Sequence, residues 1–331
     1  MNSTYEKAGV SLKSGEEVVN RIKSIAKSTF SPNVLTGIGH FGAFYELDLK
    51  GYNNPVLVSS VDGVGTKLKI AIKMNKHNTI GQDLVNHCVN DIAVCGATPL
   101  YFMDYLAFGK LELSIAEEII QGFAIAAKQN KVSLIGGETA EMPGLYSKKD
   151  YDISGTIIGI VEKDKIIDGS KVQKNDVLIG FPSSGLHTNG YSLAREVLLK
   201  KYDINDKPDS LENSIGTELL KIHKSYLNLI KKLISENLVN AFSHITGGGI
   251  LGNTKRVVPK GFNITIDWKA WEIPEIFKLI QLTGNISDNE MRNVFNIGIG
   301  LVAIANKDNA KRILAVSSNL NEKAFIIGEI I

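Results

Sequence analysis

Cysteine is scarce in this chain, long apolar runs are missing, and neither sign of charge dominates. Two cysteines stand among 331 residues, Cys88 and Cys95, at a spacing that reads as helical. That excludes a disulfide scaffold and suits buried thiols in a reducing compartment. With no Cys or His partners at ligand spacing, a zinc site is not expected. Nowhere do about eighteen apolar residues run together, and the opening MNSTYEKAGV lacks the apolar stretch of a secretion signal. No membrane association is therefore expected, and a cytoplasmic location is. The 37 basic residues are balanced by 35 acidic ones, which gives no reason to expect a nucleic-acid partner. Low-complexity segments and solenoid repeats are absent too. The two tryptophans, Trp268 and Trp271, fall in a connection and read as packing.

What is present suits two globular domains. The length allows two cores, and the apolar content of 44% is ordinary for a soluble protein. Lys163–Asn175 is charged and weakly patterned, and the boundary is placed there: an N-terminal domain over 1–165 and a C-terminal domain over 166–331.

The most informative stretch is Val56–Lys67, VLVSSVDGVGTK. A β-branched run predicts a buried strand, and it enters Asp62-Gly63-Val64-Gly65-Thr66-Lys67, which no strand or helix interior favours. An acid, two glycines, a hydroxyl and a lysine suit a metal-chelated polyphosphate. Asp62 would hold the ion, while the amides and Lys67 would meet phosphate oxygens. The plain alternative is an ordinary glycine turn, and the Walker A spacing is absent.

Other stretches share this character. Ser14 and Glu17 read as a capping box opening a helix to about Ser28. Gly37, Gly39 and Gly42 lie in a second glycine-rich loop, a flap over phosphates or the turn before a strand Phe44–Leu49. A helix Thr79–Cys95 carries the apolar stripe Ile80, Leu84, Cys88, Ile92 and Cys95. Asp91 lies on or beside that stripe, as a buried salt bridge or as a second metal carboxylate facing Asp62; His87 nearby reads as a packed side chain. After Pro99–Phe108 (strand) and a helix capped by Ser114 and Glu117, strand Val132–Ile135 runs into Gly136-Gly137-Glu138-Thr139-Ala140-Glu141. Ligands gather where strand ends open into loops, so Asp62, Asp91 and Glu138 are expected to converge on one ion.

In the second half, strand Asp176–Phe181 ends at Ser183-Ser184-Gly185-Leu186-His187-Thr188-Asn189, before a helix Tyr191–Lys201, a plausible anion pocket. Ser210–Glu236 reads as two helices kinked near Lys224–Ser225. A strand Val239–Phe242 leads to His244 and the glycines Gly247, Gly248 and Gly249, whose amides can face a ligand.

Taken together, YEKAGV (5–10), GIGHFGAF (37–44), DGVGTK (62–67), VNDI (89–92), GGETAEMPG (136–144), SSGLHTNGYS (183–192), HITGGG (244–249) and FNIGIG (295–300) resemble the phosphoribosylformylglycinamidine cyclo-ligase (AIR synthetase) family. These blocks span nearly the whole chain in the family's order. A wider ATP-using superfamily, including selenophosphate synthetases, thiamin-phosphate kinases and a hydrogenase-maturation dehydratase, shares the acid layout. It usually carries Asp where His244 stands. The chain departs from the family pattern at Gly252-Asn253-Thr254-Lys255-Arg256 and at Arg292-Asn293-Val294.

The resemblance implies an α/β fold of two domains, each a mixed β-sheet flanked by helices, and a homodimer whose N-terminal sheets form a barrel-like core. It implies ATP and Mg²⁺ as cofactors and a ribotide as small-molecule substrate, closed to an imidazole after phosphorylation of its amide oxygen. On it, Asp62, Asp91 and Glu138 hold Mg²⁺–ATP. Gly37, Gly39, Gly42, Gly63, Gly65, Thr66, Lys67, Gly136, Gly137 and Thr139 surround the nucleotide. Ser183, Ser184, Gly185, His187, Asn189, Gly247 and Gly248 hold substrate, and His244, with Lys67 and Asp91, serves the chemistry. Another ATP-using member of the superfamily, or a nucleotide-binding protein without chemistry, is the alternative.

Overall fold

A computed structural model describes residues 21–331, as two compact units. The first runs to Ile92 and resumes over Thr98–Lys163; the second comprises Ala93–Ala97 and Asp164–Ile331. The YEKAGV block and the Ser14–Glu17 capping box lie outside the described residues.

The first described element of the first unit is a helical run, α1, over 21–27. Strand β1 (Pro55–Gly63), helices α2 (Leu68–Met74) and α3 (Asn78–Ala93), β2 (Thr98–Phe108), α4 (Leu113–Asn130), β3 (Ser133–Glu141) and β4 (Tyr151–Glu162) follow. The sheet order is β1-β4-β2-β3. β4 is antiparallel to both β1 and β2, and β3 is parallel to β2, so α4 is the crossover that parallel pairing demands. Alternation decides the faces: Leu57, Ser59 and Val61 are exposed, while Val56, Val58, Ser60 and Asp62 are partly covered. On α3 four of the five expected stripe residues, Ile80, Leu84, Cys88 and Ile92, are buried; the helix ends at Ala93, so Cys95, part-buried, lies beyond it. Two glycines let α3 and α4 touch. A Cβ on Gly81 would sit 2.2 Å from the Ile119 carbonyl oxygen, and one on Gly122 would sit 2.2 Å from that of Asn78.

Three expectations change here. The segment Gly136–Glu141 is no loop; it is the second half of β3, paired residue by residue with Met103–Phe108 after a bulge at Phe102/Met103. The long β2 offers a ladder that outweighs the glycines' weak strand preference. Phe44–Leu49 is not a strand either. Only Val34 and Tyr45 bridge, and Gly37–Gly42 forms the exposed tip of the loop they close. Finally α4 starts at Leu113 with Glu112 as its N-cap and no side-chain cap, instead of at Ser114.

The second unit contains β5 (Val177–Pro182), α5 (Tyr191–Leu198), α6 (Ile215–Leu219), α7 (Leu227–Ser235), β6 (Ala241–His244), α8 (Gly249–Thr254), β7 (Ile264–Ile266), α9 (Glu275–Gly284), α10 (Asp288–Val294), β8 (Ile299–Ala305), α11 (Ala310–Asn319) and β9 (Phe325–Ile330). Its sheet runs β6-β8-β5-β9-β7. Each pairing is antiparallel, so the mixed sheet expected in both domains occurs only in the first. Strand β8 is buried along its whole length and forms the floor of this core. The expected kink at Lys224–Ser225 is a full break between α6 and α7. Its extended residues bury His223 and Tyr226, and the Tyr226 hydroxyl donates to the Pro182 carbonyl (2.8 Å). Trp271 is buried and its indole N–H donates to the Ile297 carbonyl (2.8 Å), as a packing role predicts.

Candidate active site

At the end of β1 the first unit brings two of its three expected acids together. Asp62 Oδ2 lies 2.9 Å and Asp91 Oδ2 3.7 Å from one atom, Nε2 of His87. The Ser60 hydroxyl donates to the same Asp91 oxygen (3.1 Å), and the Gly63 amide donates to Asp62 Oδ1 (2.6 Å). The sequence places them so: Asp62 shares the covered face of β1 with Ser60, and Asp91 lies one helical turn beyond His87. The acids remain partly open, with side chains 41% and 25% exposed, whereas His87 is buried. Burial alone would raise Asp62, but the hydrogen bond and charge of His87 and the Gly63 amide outweigh it and hold its carboxyl low. Burial likewise opposes the His87 imidazolium, and Asp62 and Asp91 overcome it, so its value is raised. His87, read as mere packing, is the side chain that both acids face. Two accessible hard-oxygen donors on separate elements fit a magnesium ion with water or phosphate completing its shell.

Glu138 does not join them within one chain. The register sets Asp62, Gly155, Asp104 and Gly137 in one row across the sheet, and Gly63, Ser154, Tyr105 and Glu138 in the next. Adjacent rows face opposite sides, so Glu138 is exposed on the outer face, three strand spacings (about 14 Å) from Asp62. The residue sharing Asp62's row is Asp104, which sequence reasoning missed. It is of intermediate exposure as a residue. Loss of water around its carboxyl nevertheless pushes it up to about 7, and the charge of Glu138 adds to this. Gly137 makes room for it: a Cβ there would lie 2.4 Å from Asp104 Oδ1. Glu141 accepts from the Leu111 amide (2.9 Å) and anchors the turn before α4.

Lys67 is also placed differently. Its side chain has no exposed surface and its ammonium pairs with Asp83 at 2.8 Å, inside the unit. Burial lowers its value against the pull of Asp83. It ties the turn after β1 to α3, while Gly65 and Thr66 of the same turn are exposed. The Gly37, Gly39 and Gly42 loop is exposed, with Phe41 at its tip.

The second unit gathers the expected substrate residues around three imidazoles. The Ser183 hydroxyl donates to the Gly185 carbonyl (2.9 Å), and the Ser184 amide donates to His187 Nε2 (3.2 Å). Ser184 Oγ is bound to the Ile222 carbonyl. The rings of His187 and His223 stack, with centroids 4.0 Å apart at 23°. His223 Nε2 is 3.0 Å from His244 Nε2, and its Nδ1 is 3.4 Å from Thr188 Oγ1. Thr188 Oγ1 accepts from the Asn189 amide (3.4 Å). Gly247 lies against Asn189, where a Cβ would be 3.2 Å from its Oδ1. Gly248 and Gly249 adopt positive φ, and a Cβ on Gly249 would meet the Arg292 carbonyl at 1.9 Å, so the third glycine is obligatory for close packing.

The chain has named relatives. The N-terminal domain of AIR synthase related proteins matches residues 45–161 and the C-terminal domain matches 173–331. A phosphoribosylformylglycinamidine cyclo-ligase from Geotalea daltonii is 49% identical, covering 99% of this chain and 94% of that protein. Another from Trichlorobacter lovleyi is 46% identical over 99% and 95% of the two chains. The chain belongs to the AIR synthase related family. Solved structures share its fold at low identity. Thiamine-monophosphate kinase from Stenotrophomonas maltophilia has a TM-score of 0.67 at 17% identity, covering 95% of this chain and 92% of that one. The hydrogenase maturation protein HypE of E. coli reaches 0.69 at 19%, covering 96% and 92%.

Within this AIR synthase related chain, several site residues were not legible. Asn253 is buried and its amide donates to the carbonyls of Thr246 (3.3 Å), Gly247 (3.1 Å) and Gly249 (2.8 Å). It thus holds the glycine loop in shape, at the segment where the family pattern departs. Asn296 ties the serine loop to the approach of β8: its amide donates to Gly185 O (2.9 Å), and its Oδ1 accepts from Ser183 Oγ (3.1 Å) and Gly298 N (2.8 Å). The adjacent FN pair was the only signal for it. His223 had none.

Proposed function

We propose that this chain is an ATP-dependent cyclo-ligase that closes formylglycinamidine ribotide to aminoimidazole ribotide, with ADP and phosphate as co-products, in purine biosynthesis. The observation that carries the reading is the pairing of Asp62 and Asp91 about one point at the end of β1. It occurs in a chain 49% identical, over 99% of its length, to a protein named for that reaction.

The chemistry follows from what the substrate lacks. An amide oxygen is a poor leaving group. Transfer of the ATP γ-phosphoryl to that oxygen makes an iminophosphate; the amidine nitrogen then attacks its carbon, the new C–N bond forms, the C–O bond breaks and phosphate departs. Asp62 and Asp91 would hold a magnesium ion on the triphosphate, whose charge is neutralised for transfer. The amides of the Gly63–Thr66 turn would face phosphate oxygens, with the Gly37–Gly42 tip as a covering flap. We keep Glu138, with Gly136, as nucleotide contacts only through the outer face of the sheet; Thr139 stands on the opposite face, in the row of Leu106. Ser183, Ser184, His187 and Asn189 would hold the ribotide, and His244 would serve the reacting oxygen or nitrogen. Because closure is intramolecular, holding the substrate folded supplies several kcal/mol on its own.

Supporting a homodimer, the outer face of the first sheet leaves Leu57 and Val61 exposed (58% and 65%) and Tyr105 beside them. Among the described residues no helix is long and apolar enough to cross a membrane; we place the enzyme in the cytoplasm. The test is turnover of formylglycinamidine ribotide with Mg²⁺ and ATP, following ADP and aminoimidazole ribotide together. Asp62→Asn should fold as wild type and lose at least about 100-fold in kcat. ADP release that needs a different acceptor, or none, would reject the reading.

A further inference from the structure

The segment Thr246–Gly249 has little of its own to hold it in one shape. Three consecutive glycines lose more freedom on ordering than other residues do, and they offer no side chain to pack. Gly247 and Gly248 are exposed, and Gly248 and Gly249 hold positive φ, 96° and 64°. A backbone bond crosses the turn, from the Gly249 amide to the Thr246 carbonyl (3.3 Å).

What gathers the loop is one side chain a helical turn further on. Asn253 is 3% exposed, and its Nδ2 donates to the carbonyls of Thr246, Gly247 and Gly249 at 3.3, 3.1 and 2.8 Å. Its Oδ1 accepts from the Thr246 hydroxyl (3.1 Å). Chemistry fixes these roles. A carbonyl oxygen can only accept, and turning the amide over would set its oxygen against three others. Gly248 bends directly over the amide, since a Cβ there would lie 4.0 Å from Nδ2. Drawing three carbonyls to one point turns the opposite edge of the loop outward. That edge lies beside Asn189, whose Oδ1 would be 3.2 Å from a Cβ on Gly247.

We propose that Asn253 is a positioning residue for the ribotide. By gathering three carbonyls it presets the Gly247–Gly248 edge against Asn189, so the substrate meets a wall that is already ordered. This rests on the reading of Asn189, Gly247 and Gly248 as substrate contacts of the proposed cyclo-ligase. The effect falls on binding and not on chemistry. With the loop loose, only the molecules that hold it in place can take the substrate, and apparent affinity falls by that fraction. The complex, once formed, turns over as before. The nucleotide contacts proposed above belong to the first unit and do not depend on Asn253.

The test combines titration calorimetry with formylglycinamidine ribotide, steady-state rates with ATP, and ¹⁵N order parameters of glycine-labelled full-length protein. Wild-type Gly247, Gly248 and Gly249 should be rigid, at about 0.85, and Asn253→Leu should drop them below about 0.6. That variant, close in size but unable to bond, should weaken ribotide binding and raise its KM about 10-fold. Its kcat and its KM for ATP should stay within about 3-fold of wild type. Mobile glycines in wild type would overturn the proposal, as would a folded Asn253→Leu whose glycines stay rigid. A lower melting temperature with unchanged ribotide affinity would show a structural role alone and also overturn it. If Asn253→Leu does not fold, Thr246→Val removes the hydroxyl that orients the amide. It should lower the same order parameters and weaken ribotide binding about 3-fold; wild-type values there would overturn the proposal. A chain that binds the ribotide in this Asn253-dependent way yet never closes it would reject the function proposed above and keep the positioning role. One that binds no ribotide overturns both.

Discussion

Asp104 and Lys67 show how far a side chain's surroundings override its type. A carboxyl raised from 3.8 to about 7 binds its proton more tightly folded than unfolded. Stability is then lost as pH climbs from the unfolded value through the folded one. Asp104→Asn, which cannot ionise, should gain melting temperature over wild type, and the gain should grow between pH 5 and pH 8. A difference independent of pH would show that the carboxyl is not strained. Lys67 is the opposite case, a cation drawn inside by Asp83. Removing one partner of a buried pair strands the other, at about 3–5 kcal/mol. Lys67→Met should therefore lower urea-melt stability by that amount, and adding Asp83→Leu should recover much of it. At this scale the sequence was half legible. Asp62 and Asp91 announced themselves by strand-end position and by an acid beside an apolar stripe. His223 and Asp104 did not, because each acquires its role from a ring or glycine far along the chain.

Among elements, α3 was the clearest in advance: its stripe of Ile80, Leu84, Cys88 and Ile92 is buried as the 3.6-residue period requires. The glycines that let it lie against α4 carried no such signal, because a helical glycine means little until its neighbour is known. Gly122→Ala would drive a methyl to 2.2 Å from the Asn78 carbonyl oxygen, which is backbone and cannot step aside cheaply. A loss of about 1–3 kcal/mol is expected, read as a lower urea midpoint at unchanged slope. β3 was misjudged for a related reason. Gly136-Gly137-Glu138 lacks strand character locally, and only the parallel ladder to β2, across an intervening helix, makes it a strand.

For the whole molecule, it was the family resemblance of the sequence blocks that made an α/β architecture legible. Periodicity does not reveal which strands pair or in what sense, so the antiparallel character of the second sheet was not. The outer face of the first sheet makes its own prediction. Leu57→Lys with Val61→Lys should leave the folded chain intact but convert the proposed dimer to monomer in sedimentation velocity at micromolar concentration. A wild-type chain that sediments as a monomer would remove the dimer.

The one-residue offset between Asp62 and Glu138 also has an evolutionary reading. Neighbouring rungs of a sheet look out on different worlds. Inserting or deleting a single residue ahead of Asp62 in its strand would exchange which carboxylates share a side. Lineages carrying this fold should therefore tolerate length changes in the loops around β1 far more readily than within it.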